Sequence, residues 1–173
     1  MILLTNEQIK EITELQRILD ERIRENNGID KEKSLGLEKY IALKTEFFEF
    51  VNEIESFKFW KKNKGKENIV EEACDTLHFI LSLAIENEHE IVLGDEEELF
   101  KDFDKDNYDI NELIGIVDTM MTDLAVTGEP EHLDNILIFL CVILNKCNFN
   151  GDDLYEAYIS KNKVNHKRQD TNY

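Results

Sequence analysis

The sequence predicts an all-α protein. Apolar residues recur at helical spacing through most of the chain. One proline and seven glycines leave long stretches free of helix breakers. Thr5-Asn6-Glu7-Gln8 and Asp109-Ile110-Asn111-Glu112 both have the form of a capping box, which satisfies the free N–H groups of a helix start. The expected architecture is a bundle of about six to eight helices. One domain is expected over residues 1–173, with an acidic, mobile segment at about 87–108.

The first helix carries Ile9, Ile12, Leu15, Leu19 and Ile23 on one face and ends at Asn26-Asn27-Gly28. Gln16 lies close to that stripe. A second helical run is expected from near Leu35 to about Trp60, with Leu43, Phe47, Phe50, Ile54 and Phe57 as its stripe. At ~100° per residue, Glu46, Glu49 and Glu53 fall within roughly 60° of one another, beside the stripe. Glu55 falls on the far side.

Lys61-Lys62-Asn63-Lys64-Gly65-Lys66 follows and breaks the helix. A third helix is expected from about Asn68 to Glu86. Its apolar face includes Ile69, Ala73, Leu77, Ile80 and Ala84, and Glu72 and Asp75 lie beside that face. Glu71 is turned further toward solvent. His78 reads as a histidine packed on the helix.

A strongly apolar helix is expected from Asp109 to its stop at Gly128, and Pro130 opens another with Leu133, Ile136, Leu137, Leu140, Ile143 and Leu144 inside; both read as core or as a subunit contact. Asp118 reads as a surface acid. After Asn150-Gly151 a last helix starts at Asp152-Asp153, with Leu154, Tyr158 and Ile159 on its apolar side. It leads into the basic tail Lys161-Asn162-Lys163-Val164-Asn165-His166-Lys167-Arg168-Gln169.

Charge narrows the function classes. With 38 acids against 20 bases the net charge is −18, which excludes a general nucleic-acid surface. No apolar run reaches the ~18 residues of a membrane span. The start MILLTNEQIK lacks the features of a secretory leader, so the expected location is cytoplasmic. Cys74, Cys141 and Cys147 form no C-x-x-C pair and read as free thiols in apolar patterns.

The chemistry concentrates in residues 45–82. Glu46 and Glu49 form an E-x-x-E pair, and Glu72 and Asp75 form an E-x-x-D pair. Residues three apart share a helix face. If the two helices pack side by side, four carboxylates converge, an arrangement suited to hard cations. Two concentrated basic clusters in an acidic chain suit a phosphate-bearing substrate. No P-loop is present.

These residues resemble a known family. EFFEFVNEIESFKFWK, EEACDTLHFILSL and the K-N-x-x-N-x-x-R-Q tail are similar to the dimeric, all-α dUTPases, within the all-α nucleoside triphosphate pyrophosphatase superfamily. The resemblance covers Leu15 to Ser82 and Tyr158 to Tyr173. Asn172 stands where the family's closing motif usually has glycine.

The resemblance implies hydrolysis of dUTP, with dUDP as a further candidate substrate, to dUMP. It implies two or more Mg2+ ions per site, replaceable by Mn2+, held by Glu46, Glu49, Glu72 and Asp75. A metal-activated water would attack the α-phosphate, with Glu46 as the choice for the residue taking its proton. Gln16, Asn162 or Asn165, and Trp60 match nucleoside-recognising positions. Lys61, Lys64, Lys161 and Arg168 match phosphate contacts. A homodimer with the site at the subunit interface follows. No protein inhibitor or regulatory partner is identified. The rival readings are a pyrophosphatase for another nucleotide such as dCTP, and a non-catalytic helical dimer that binds a protein.

Overall fold

The computed structural model describes residues 3–62, 68–94 and 108–171. Among them are six helices and no strand: α1 (Asn6–Asn26), α2 (Gly36–Ile54), α3 (Ile69–Glu86), α4 (Ile110–Thr127), α5 (His132–Lys146) and α6 (Gly151–Asp170). The all-α expectation holds. Lys64, and residues 95–107 of the acidic segment, lie outside the described residues. No single helix among those described is long and apolar enough to cross a membrane.

Both expected capping boxes are present. The Thr5 hydroxyl accepts the Gln8 N–H at 3.2 Å, and the Gln8 side chain accepts the Thr5 N–H at 2.9 Å. Asp109 and Glu112 do the same for α4. A third box, Asn150 with Asp153, opens α6 one residue earlier than expected.

Helix α3 is the centre of the bundle. It packs against α1, α2, α5 and α6, and eleven of its 18 residues are buried. Phe47 and Phe50 of α2 are fully buried. Each removes enough apolar surface from water to contribute roughly 2–3 kcal/mol. In α5, residues 136–144 are all buried within the one chain, which leaves that stretch no face for a subunit contact. Cys74 and Cys141 are buried and Cys147 is half-buried, and none of the three forms a disulfide among the described residues.

Helix α2 ends at Ile54, not near Trp60. Glu55 takes a left-handed conformation (φ 58°) and its N–H closes the helix on the Val51 carbonyl. A non-glycine residue pays roughly 1–2 kcal/mol for that conformation. Ion pairs offset the cost: Lys58 lies 2.9 Å from the Glu55 carboxylate, and Lys61 holds its other oxygen. Glu55 is thus covered, not on the far side in solvent, and Phe57 leaves the stripe for the surface.

A shielded ion network ties the first three helices together. Lys39 of α2 lies 3.0 Å from Asp20 of α1 and 2.9 Å from Glu86 of α3. Glu86 also accepts from Arg24 at 2.9 Å and from the Leu35 N–H at 2.8 Å. Those donors outweigh the burial that opposes its charge and hold the Glu86 pKa down at about 2.

Candidate active site

The packing of α2 on α3 brings the acid motifs together. Carboxylate oxygens of Glu46, Glu72 and Asp75 lie within 4.8 Å of one another. Glu49 is exposed on the adjoining turn of α2. It is close enough that its charge raises the pKa of both Glu46 and Glu72. Burial is the largest cause of the Glu46 shift, followed by Asp75, Glu49 and Glu72; together they push Glu46 up to about 7. Glu72 and Asp75 are raised as well, again chiefly by burial. Such crowding is unfavourable for bare carboxylates and is relieved by a cation. The donor set is all oxygen, with no thiolate or imidazole, and fits a hard divalent ion such as Mg2+.

The tail supplies a cation of its own. Lys161 of α6 donates to Asp75 and to Glu71, each at 2.8 Å. Glu71, the acid turned toward solvent, is therefore a partner of Lys161 and stands outside the carboxylate group.

A cavity of about 340 Å³ opens beside the acids. Gln16, Asp20, Glu46, Asp75, Asn165 and Arg168 are among the residues lining it. Arg168 donates to Asn165 at 3.3 Å. Gln16 is buried at its edge. Asn162 is also buried, beside the Tyr158 hydroxyl, and does not line the cavity. A larger hollow of about 850 Å³ between α1 and residues 85–92 contains none of the clustered acids, so size alone does not locate the chemistry.

Two expected substrate contacts lie elsewhere. Trp60 is 66% exposed, on the segment after α2, with ring neighbours Phe59 at 5.0 Å and Phe57 at 6.3 Å. Lys61 is engaged by Glu55. Neither lines the cavity of its own chain. The expectation that α2 continues to Trp60 would have kept both on the acid-bearing helix, and the stop at Glu55 turns them away.

Sequence reasoning missed Asp20, His78 and Tyr158 as site neighbours. His78 Nδ1 lies 2.7 Å from Gln16 Oε1, and the Tyr158 hydroxyl donates to the same oxygen at 2.8 Å. Gln16 Nε2 donates to Asp20 at 2.6 Å. Asp20 is four residues from Gln16 on the same helix face, which is a readable signal. Nothing local to His78 or Tyr158 points to Gln16.

Fold and site define a class: an all-α protein with a hard-donor carboxylate cluster, a cationic helix and a cavity between them. A family model described as dUTPase matches residues 8–173. The chain belongs to the dimeric, all-α dUTPase family; it is an enzyme of the dUTP diphosphatase class, with dUTP as its substrate. No curated protein matches the chain.

Proposed function

We propose that the enzyme converts dUTP to dUMP and pyrophosphate, and dUDP to dUMP and phosphate, in a Mg2+-dependent reaction at the α-phosphate. The observation that carries this reading is the meeting of Glu46, Glu72 and Asp75 within 4.8 Å. These three, with Glu49 alongside, would hold Mg2+, two or more ions per site, with Mn2+ able to replace it. When bound, the metal supplies charge neutralisation for the polyphosphate and acidifies water.

The chain's own groups do the rest. Glu46 accepts a proton from the attacking water at a carboxylate oxygen, a role supported by its place among the clustered acids and at the cavity wall. The water oxygen bonds to the α-phosphorus while the bond to the pyrophosphate oxygen breaks. Lys161 and Arg168 take the phosphate oxygens. Gln16 and Asn165 meet the nucleoside, supported by their place at the cavity wall.

The working unit we propose is a cytoplasmic homodimer with the site completed across the interface. Leu37, Ile41 and Phe48 are exposed on α2, as are Phe59 and Trp60 after it, and these apolar residues favour a covered surface there. Trp60 would then serve the partner's cavity.

A nucleotide panel with Mg2+, following pyrophosphate or phosphate release, tests the proposal. Turnover of dUTP and dUDP that stops with a chelator and returns with Mg2+ or Mn2+ is expected. Turnover indifferent to the chelator overturns it.

A further inference from the structure

The two ends of a carboxamide have the same shape, so its partners decide which way it points. For Gln16 those partners are Asp20 on one side and His78 and Tyr158 on the other. One Asp20 oxygen takes the Lys39 ammonium at 3.0 Å and the Ser82 hydroxyl, and the other lies 2.6 Å from the Gln16 amide. A carboxylate only accepts. Placing the amide oxygen there would set two acceptors in contact, so the amide nitrogen faces Asp20 and the oxygen faces α3 and α6.

The rest follows in order. Gln16 Oε1 needs donors, and the Tyr158 hydroxyl is one. His78 must be the other, with its proton on Nδ1. The ring is 6% exposed and burial keeps it neutral, so Nε2 carries a lone pair. A separate observation agrees: His78 Nε2 is buried with no hydrogen-bond partner among the described residues. A buried N–H left without an acceptor is rarer than an under-used acceptor. Both lone pairs of Gln16 Oε1 are then taken, and one N–H of Nε2 is left over.

We propose that Asp20, His78 and Tyr158 are positioning residues that lock the Gln16 carboxamide as a donor toward the cavity, and that this polarity selects a pyrimidine with a carbonyl oxygen at C4 over one with an amino group. The proposal rests on reading Gln16 as a nucleobase contact. The C4 oxygen of uracil accepts the remaining N–H. The C4 amino group of cytosine presents N–H to N–H, and the amide cannot turn over to receive it. Sites that hydrogen-bond their substrate reject a mismatched analogue strongly, here by roughly 100-fold or more.

The experiment compares kcat/KM for dUTP and dCTP with Mg2+ in the full chain, its Tyr158→Phe and His78→Leu variants, and His78→Asn, whose amide keeps a donor near the Nδ1 position. Loss of Tyr158 or His78 should lower the dUTP-to-dCTP ratio at least tenfold, and His78→Asn should hold it within about threefold. General loosening of the fold would lower both activities and leave the ratio alone. An unchanged ratio in both donor-less variants, with a dUTP-selective parent, overturns the lock; a parent with no preference for dUTP overturns the reading of Gln16 beneath it. Nitrogen NMR of the parent reads the lock without turnover. His78 should carry its proton on Nδ1 at neutral pH, and the opposite tautomer overturns the proposal whatever the variants do.

Discussion

The Lys161 ammonium lies 2.8 Å from a carboxylate oxygen of Asp75. One of these residues belongs to the basic tail and the other to the second acid motif, 86 positions apart. Burial opposes the charge on Lys161, but Asp75 and Glu71 outweigh it and hold its pKa above the ordinary value. Lys161 is therefore a built-in counter-ion of the acid cluster. Any divalent cation using Asp75 competes with it.

Replacing Lys161 separates the two roles. In Lys161→Met the acids lose their internal cation, and divalent-ion affinity should rise roughly three- to tenfold, equivalent to the ~1 kcal/mol of a partly shielded ion pair. Turnover should move the other way, with kcat/KM for dUTP falling at least roughly tenfold as a phosphate contact is lost. Calorimetric titration with Mn2+ and steady-state rates measure the two. Weaker ion binding in the variant would show that Lys161 does not compete at Asp75.

Glu49 offers the opposite combination. It is exposed and fills no core space, so Glu49→Gln should change the unfolding free energy by no more than about 0.5 kcal/mol. Its charge nevertheless acts on Glu46 and Glu72. Mg2+-dependent turnover should fall at least roughly 100-fold. Retained activity in the variant would sink the role given to the E-x-x-E pair.

What could be read in advance was local. The Thr5 and Asp109 caps follow from four consecutive residues, and both formed as expected. The same grammar in Asn150-x-x-Asp153 went unread. Helical phase put Glu46, Glu72 and Asp75 at the edge of the core, and the packing of α2 on α3 joined them. Phase failed at Glu55, because a left-handed stop held by Lys58 and Lys61 leaves no mark in the hydrophobic period. Gln16 read from local pattern only as a residue close to the apolar stripe, because two of its partners, His78 and Tyr158, sit 62 and 142 positions away.

The acid cluster should make stability depend on pH in an unusual direction. Glu46 has its folded pKa raised from 4.5 to about 7. Its contribution is full below pH 4.5 and is lost as pH rises toward 7. Glu55 and Glu86, held at about 2 chiefly by Lys61 and Lys58 and, against burial, by Leu35, Lys39 and Arg24, contribute above pH 4.5 and lose that contribution as pH falls toward 2. His78, held neutral by burial with its pKa down at about 3, adds a slope of opposite sign over the same range. Without divalent ions, the urea midpoint of Glu46→Gln should therefore rise more steeply from pH 5 to 7 than that of the parent. Saturating Mg2+ should restore stability at pH 7 and above, because it binds only the folded state. A parent midpoint that changes from pH 5 to 7 just as that of Glu46→Gln does would count against the crowding of Glu46.

Gly151 tests whether the chain start helps to seat α6. A Cβ built there would lie 2.4 Å from the Leu3 carbonyl carbon, 2.5 Å from its oxygen and 2.6 Å from the Leu4 nitrogen. These are backbone atoms and cannot swing aside as a side-chain tip would. Leu3 and Leu4 are buried at 0% and 2% exposure, so moving them also uncovers core. Gly151→Ala should cost roughly 2–4 kcal/mol, which corresponds to a fall in Tm of roughly 2–4 °C per kcal/mol for a chain of this size. Helix α6 carries Tyr158 and Lys161 two and nearly three turns further on, so a displaced start should also weaken their contacts to Gln16 and Asp75. Hydrogen exchange should then quicken at residues 3–9 and along α6, and kcat/KM for dUTP should fall with it. Faster exchange confined to residues 3–9, with turnover intact, would mean that the chain start yields alone and α6 is seated by α1 and α3 without it.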